Sequence, residues 1–357
     1  MTALLLIGGL AALVAGAEGL IRGSSAIARR WGVPPLIVGL TVVAYGTSAP
    51  EMVVSAQASL AGQAGLALGN VVGSNIFNVL FILGLSALIA PLVVNRALFQ
   101  REVPIMIIVS FLLWGLGLDG RVSRAEGVLF LILLIAYTAY QINVGLKEAP
   151  STEDKGSRPT SWPVSLALTI GGLALLVLGA RWFLAGSVTL ARGFGLSELI
   201  IGLTLVAAGT SLPEVATSVL AAIKGERDIA VGNVVGSNIF NILGVLGVAA
   251  VIAPHGVEVP AAAEGFDIPL MTAVAVACLP VFFTGHRIAR WEGGVFLAYY
   301  AAYVAFLILD AREHDALPLF SAWMTGFVLP LTVLTLAIGV FRHRRSVASE
   351  KTTRPSL

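Results

Sequence analysis

Charge is what this sequence has least of. Of its 357 residues only 12% are Asp, Glu, Lys or Arg, against about 25% in an ordinary soluble domain, while 57% are hydrophobic. A water-exposed surface cannot be assembled from so few charges, which excludes a soluble globular protein. Cysteine is nearly absent: Cys278, inside an apolar run, is the only one, so neither a disulfide framework nor a thiolate metal site is available. Histidine is sparse as well. His255, His286, His314 and His343 fall in loops or the tail, which leaves little support for a His-built transition-metal centre. No HExxH occurs for an intramembrane metallohydrolase. The net charge of +2, without a basic patch interleaved with aromatics, offers a nucleic acid nothing to bind. No basic leader precedes the apolar N-terminus, which therefore reads as a retained first span and not as a signal peptide.

What is present is apolar sequence in runs of about 20 residues, the length that crosses a bilayer. Eleven candidate spans are expected, among them 36–60, 66–90, 199–222 and 229–253. The longest polar interval, KEAPSTEDKGSRPTSW from Lys147 to Trp162, has the Pro, Ser and charge content of a solvated linker. It divides the chain into a first five-span unit (1–146), a cytoplasmic linker (147–163), a second five-span unit (164–310), and an extra helix with a basic cytoplasmic tail (311–357).

The two units are copies. GLTVVAYGTSAPE at Gly39 matches GLTLVAAGTSLPE at Gly202, and GNVVGSNIFN at Gly69 recurs at Gly232 without a mismatch. An odd number of spans per copy makes the second enter the membrane from the opposite side. The expected fold is an all-α integral membrane protein of two inverted five-helix repeats plus one extra C-terminal transmembrane helix, the architecture that places a site at the bilayer midplane. With the N-terminus outside, 17 of the 22 Lys and Arg fall on the cytoplasmic side, so the positive-inside rule predicts N-out, C-in.

Each copy carries a helix breaker beside a carboxylate. Pro50 and Pro213 lack a backbone N–H and clash with the preceding turn, so both helices are expected to open there and release carbonyls. Carbonyls at that depth are tolerated only against protein or around a cavity. Glu51, Thr47 and Ser48 from one copy, and Glu214, Thr210 and Ser211 from the other, then converge on one volume. Oxygen ligands select hard cations, and two carboxylates match one divalent ion; Ca²⁺ accepts such a mixed shell, and a smaller shell of the same oxygens suits Na⁺. Two carboxylates in a dry site repel, so cations or protons must occupy it. The second motif adds Asn70, Ser74, Asn75 and Asn78, with Asn233, Ser237, Asn238 and Asn241 as partners; Asn70, Ser74 and Asn78 are spaced along one helical face.

These paired GTSxPE and GNxxGSNxFN motifs resemble the repeats of the Na⁺/Ca²⁺ exchanger branch of the calcium/cation antiporter superfamily, in particular its compact prokaryotic members, over about residues 1–310. The resemblance implies a secondary antiporter of the cell (inner) membrane, working by alternating access, with Ca²⁺ and Na⁺ as transported ions, no cofactor and no obligatory protein partner, functional as a monomer in the lipid bilayer. It implies Ca²⁺ held by Glu51 and Glu214 and the carbonyls of Thr47 and Thr210. Its Na⁺ sites would add Ser48, Ser211, Ser74 and Ser237 and carbonyls near Ala44 and Ala207, with Asn78 and Asn241 between the sites. Several relatives carry Asp where this chain has Asn241, which argues against K⁺-dependent transport. The GNxxE pattern of proton-coupled relatives is missing, and H⁺/Ca²⁺ antiport remains the alternative. A cation channel would need symmetry about a pore axis, which two inverted copies do not supply.

Other polar positions have structural readings. Gly69 with Gly73, and Gly232 with Gly236, are small-residue pairs that let helices approach. Asn70 and Asn233 are equally ligands or helix bridges. Glu18, Arg22 and Arg181 are expected to snorkel or pair, Glu126 and Glu292 to complement a helix start, and Glu102 and Asp267 to sit at the interface. Spans one and six are expected to move against a core of spans two, three, seven and eight.

Overall fold

Apolar runs without proline give long uninterrupted helices, and proline marks where they break. The computed structural model describes residues 1–147, 161–194, 201, 205, 207–339 and 341; the linker interior at 148–160, the basic tail at 342–357 and most of the N-terminal half of span seven lie outside the described residues. In order the helices are α1 (Thr2–Trp31), α2 (Pro35–Thr47), α3 (Ala49–Leu60), α4 (Ala64–Ile89), α5 (Leu98–Gly117), α6 (Arg124–Lys147), α7 (Trp162–Gly193), α8 (Leu212–Ile223), α9 (Arg227–Ile252), α10 (Ala263–Phe283), α11 (Arg290–Ala311) and α12 (Leu317–Gly339). Among the described residues nine are long and apolar enough to cross a bilayer, and α2 with α3 makes a tenth span bent by 44°. The remaining expected span, 199–222, is represented by α8 and the short helical segment Ala207–Gly209 before it.

Inversion is visible in the connections. The α4–α5 connection carries β1 (Leu92–Val93) and the α5–α6 connection β2 (Arg121–Val122); their counterparts are β3 (Val257–Glu258) before α10 and β4 (Arg287–Ile288) after it. β1 pairs antiparallel with β4, and β2 with β3. Each connection therefore shares a face with the non-equivalent connection of the other copy, which a non-inverted duplication would not produce.

Among the described spans the most buried are the helices α4 and α9, which cross at the centre beside the breaks at Ser48 and Ser211. Around them α1 and α7 pack backbone to backbone. A side chain built on Gly16 would meet the Gly172 carbonyl at 2.7 Å, and one on Gly179 would meet the Leu13 nitrogen at 2.7 Å. Only glycine permits that approach, and its gain is van der Waals contact between helix surfaces, the main attraction available between helices in lipid. Gly236 likewise seats α9 on α2, since a Cβ there would lie 2.5 Å from the Leu40 carbonyl.

Helix starts follow the expected chemistry. Glu126 Oε2 accepts from the Ser123 backbone N–H at 2.7 Å, and Glu292 Oε2 from that of Ala289 at 2.7 Å, so each carboxylate satisfies an orphan donor. Glu18 pairs with Arg22 on its own helix and with Lys224 after α8. Glu102 departs from its expected interfacial place: it is fully buried, accepting from Tyr137 at 3.0 Å and from Gln141, both on α6. Asp267, its counterpart, is half-buried and accepts from Tyr303 at 3.3 Å. The outermost helix, α12, hydrogen-bonds to α11 through Tyr299 and Thr332 and encloses with α10 and α11 an apolar cavity of about 480 Å³.

Candidate cation site

The site is built on two interrupted helices. Ser48 (φ −80°, ψ 9°) ends α2 and caps α3; Ser211 (φ −87°, ψ 9°) caps α8 in the same way. Pro50 and Pro213 occupy the second position of the restarted helix, where a missing N–H costs nothing. The break is thus a bend with a fresh helix N-terminus. Glu51 and Glu214 stand in the first turn of those helices, where the exposed N–H groups favour a carboxylate.

Both glutamates are buried, at 0% and 1% exposure. Each is held by the opposite copy: Ser48 Oγ donates to Glu214 Oε1 at 2.8 Å, and Ser211 Oγ to Glu51 Oε1 at 2.8 Å. Ser211 also lies 3.2 Å from Ser74 Oγ, and Ser237 Oγ reaches the Ala44 carbonyl at 3.5 Å. Thr47 donates to Asn233 Oδ1 at 3.2 Å and Thr210 to Asn70 Oδ1 at 3.4 Å. Ala207 stands in the segment three residues before Thr210. Of the two readings left open for Asn70 and Asn233, the geometry gives the bridging one. Their amides donate to Ser55 Oγ at 2.9 Å and Ser218 Oγ at 2.8 Å, tying α4 to α3 and α9 to α8.

Asn75 and Asn238, which the second motif supplies one residue after Ser74 and Ser237, take a role that the motif alone did not assign. They cross the pseudo-two-fold axis: Asn75 Nδ2 donates to the Asn238 carbonyl at 3.1 Å, and Asn238 Nδ2 to the Asn75 carbonyl at 3.4 Å. Asn78 Nδ2 donates to Asn238 Oδ1 and Asn241 Nδ2 to Asn75 Oδ1, both at 3.0 Å. At Asn78 and Asn241 both helices widen into π-type turns, Asn78–Leu83 and Asn241–Leu246, a feature frequent at functional sites.

After these bonds are made, one oxygen on each of four residues has no partner: Glu51 Oε2, Glu214 Oε2, Asn78 Oδ1 and Asn241 Oδ1. All four are buried acceptors, two from each copy. A buried unsatisfied acceptor costs about 1–3 kcal/mol, and more when charged. What satisfies four acceptors at once is a positive charge. Two carboxylate and two neutral amide oxygens are the hard donors that alkali and alkaline-earth cations take.

Comparison with known proteins identifies the family. The family model described as "Sodium/calcium exchanger protein" matches residues 1–143 and 164–309. The inner membrane protein YrbG of Escherichia coli is 39% identical over 286 residues, covering 78% of this chain and 88% of that one. The sodium/calcium exchanger MaX1 of Methanosarcina acetivorans is 34% identical over 343 residues, covering 85% and 97%. Among solved structures, the sodium-calcium exchanger NCX_Mj soaked with 2.5 mM Na⁺ and 0.1 mM Ca²⁺ superposes with a TM-score of 0.74 at 33% identity, covering 85% of this chain and 97% of that one. With its bent and duplicated helices and its paired buried glutamates, this multi-pass membrane protein belongs to the sodium/calcium exchanger family.

Proposed function

We propose that the protein exchanges Na⁺ for Ca²⁺ across the cell membrane, with Glu51 and Glu214 as the carboxylates that hold Ca²⁺. The observation that carries this reading is the set of four buried, partnerless oxygens contributed equally by the two copies. Ca²⁺ neutralises both carboxylates at once and tolerates amide and carbonyl oxygens in its shell. Na⁺ is served by subsets of the same oxygens, with Ser48, Ser211, Ser74, Ser237, Thr47, Thr210, Ala44 and Ala207 supplying hydroxyls and carbonyls. Because the vacated cage would confront two carboxylates in a dry site, one ion leaves only as others arrive, and that condition is what makes the protein an exchanger and not a leak.

The N-terminus lies outside and the tail in the cytoplasm, by the distribution of Lys and Arg. More than two Na⁺ per Ca²⁺ moves net charge, each contributing about 2.3 kcal/mol per 100 mV, so exchange at that ratio is electrogenic and extrudes Ca²⁺. Access alternates by sliding of α1 and α7 against the core, the two moving as one unit because their glycine-lined contact packs them backbone to backbone. α7 also touches both breaks: a Cβ on Gly46 would meet Leu173, and one on Gly209 would meet Leu184, at 2.5 and 2.6 Å.

The test is Ca²⁺ uptake into proteoliposomes loaded with Na⁺, beside K⁺-loaded vesicles and vesicles bearing a pH gradient. Uptake only with internal Na⁺ is expected. Uptake driven by the pH gradient would replace Na⁺ with H⁺ as the coupling ion, and no uptake under either drive would overturn the Ca²⁺ assignment.

A further inference from the structure

The four asparagines at the crossing of α4 and α9 form a continuous hydrogen-bond chain from Asn78 to Asn241, and the chain has a direction. An amide has one acceptor end and one donor end, and its orientation must be deduced from what surrounds it. Two members of this hydrogen-bond chain face partners that cannot rotate. Asn75 Nδ2 points at the Asn238 carbonyl and Asn238 Nδ2 at the Asn75 carbonyl. Main-chain carbonyls accept and never donate, so the NH₂ ends of Asn75 and Asn238 are fixed towards them. Thioether sulfurs from two further helices reinforce this: Met271 Sδ lies 3.6 Å from Asn75 Nδ2 and Met106 Sδ 3.5 Å from Asn238 Nδ2.

The consequence passes outward by one bond. With its NH₂ committed, Asn75 presents its oxygen to Asn241, and Asn238 presents its oxygen to Asn78. Asn241 and Asn78 must answer with their NH₂ groups, because turning either amide over would set two acceptors face to face. Their oxygens are thereby turned the other way, to where they have no partner in the protein.

We propose that Asn75 and Asn238 are positioning residues that determine the polarity of the cation cage, forcing Asn78 and Asn241 to offer oxygen and not NH₂ to the ion. This inference rests on the cation-site reading above. Neither residue touches the ion; each acts through the amide it orients. A cage presenting two NH₂ groups would repel the cation that one presenting two oxygens binds.

A double-mutant cycle on the purified full-length protein tests this, read by equilibrium ⁴⁵Ca²⁺ binding and its competition by Na⁺. Asn75→Leu keeps similar bulk while removing the acceptor that holds Asn241, and is expected to weaken Ca²⁺ binding about tenfold, the usual scale for a partner one bond behind a metal ligand. Asn241→Ala is expected to cost a similar factor. If Asn75 acts through Asn241, the double variant binds no more weakly than Asn241→Ala alone; independent, multiplying losses would overturn the proposal.

Asn75→Asp provides a second route that does not depend on the leucine variant folding. A protonated Asp mimics Asn, its O–H donating to the Asn238 carbonyl and its C=O accepting from Asn241. Relative to the wild type at the same pH, Ca²⁺ affinity should therefore be near normal at low pH and fall as the new carboxyl ionises. An added negative charge acting only by attraction would do the reverse, and an affinity that rises with pH relative to the wild type would contradict the proposal. Failure of these tests in a protein that binds Ca²⁺ sinks the amide argument alone. A wild-type protein that binds no Ca²⁺ sinks the site reading beneath it.

Discussion

The decamer GNVVGSNIFN occurs on α4 and again on α9, and the two copies live in different surroundings. On α9, Gly232, Asn233 and Gly236 are buried against α2; on α4, Gly69 is exposed and Asn70 and Gly73 are half-buried, with no described atom within 4 Å of a side chain built on either glycine. The threonines follow suit: Thr47 is buried and Thr210 half-buried. Among the described residues, identical sequence is thus more deeply buried in one copy than in the other. Such an asymmetry is what an alternating-access protein shows in a state open to one side only, since a structure symmetric in both halves would be open to both sides or to neither.

A sequence difference accompanies the more buried flank. Glu18 pairs with Arg22 and reaches across to Lys224, while the equivalent positions in the other copy, 163 residues away, are Arg181, Ala185 and Ala61. No ion pair can form from that set. The more buried flank carries a tie that the other lacks.

The largest expected effect breaks the comparison at the threonines. Native Cys278 is buried, so background thiol reactivity is low. Thr210→Cys should react with a membrane-impermeant thiol reagent at least about ten times faster than Thr47→Cys, as hydrogen bonding and packing hold the latter below its opening threshold. Equal rates would mean that the two flanks are equally open. Next in size, Gly236→Ala should lower the thermal midpoint by the equivalent of about 1–3 kcal/mol through overpacking, with Gly73→Ala near neutral. A reversed order would refute the packing difference. The smallest effect belongs to the ion pair, which is partly exposed and so worth about 0.2–1 kcal/mol. Lys224→Met should raise the labelling rate at Thr47→Cys by about two- to fivefold, and an unchanged rate would remove the tie from the account.

Much of this was legible in the sequence because a proline and a carboxylate inside an apolar run have few physical outcomes. The bends at Ser48 and Ser211 and the burial of Glu51 and Glu214 follow from that scarcity, and the inversion follows from an odd number of spans per copy. The orientation of Asn75 and Asn238 was not legible, since it arises from two helices crossing at a register that no local pattern reports. Glu102 was misplaced for a related reason. Its partners Tyr137 and Gln141 come from α6, one turn apart on a face turned inward, and a carboxylate next to Arg101 and Pro104 looks interfacial until that face is known. The asymmetry between the decamers could not be read at all, because identical residues carry no information about which flank is the more buried.

The central claim is that the two copies build one shared cage and not two separate sites. It is tested most directly by equilibrium Ca²⁺ binding to Glu51→Gln and Glu214→Gln made one at a time. One cage predicts that either substitution alone abolishes measurable Ca²⁺ binding and Na⁺-driven uptake. Retention of about half the wild-type binding capacity in each single variant, the signature of two independent sites, would contradict it.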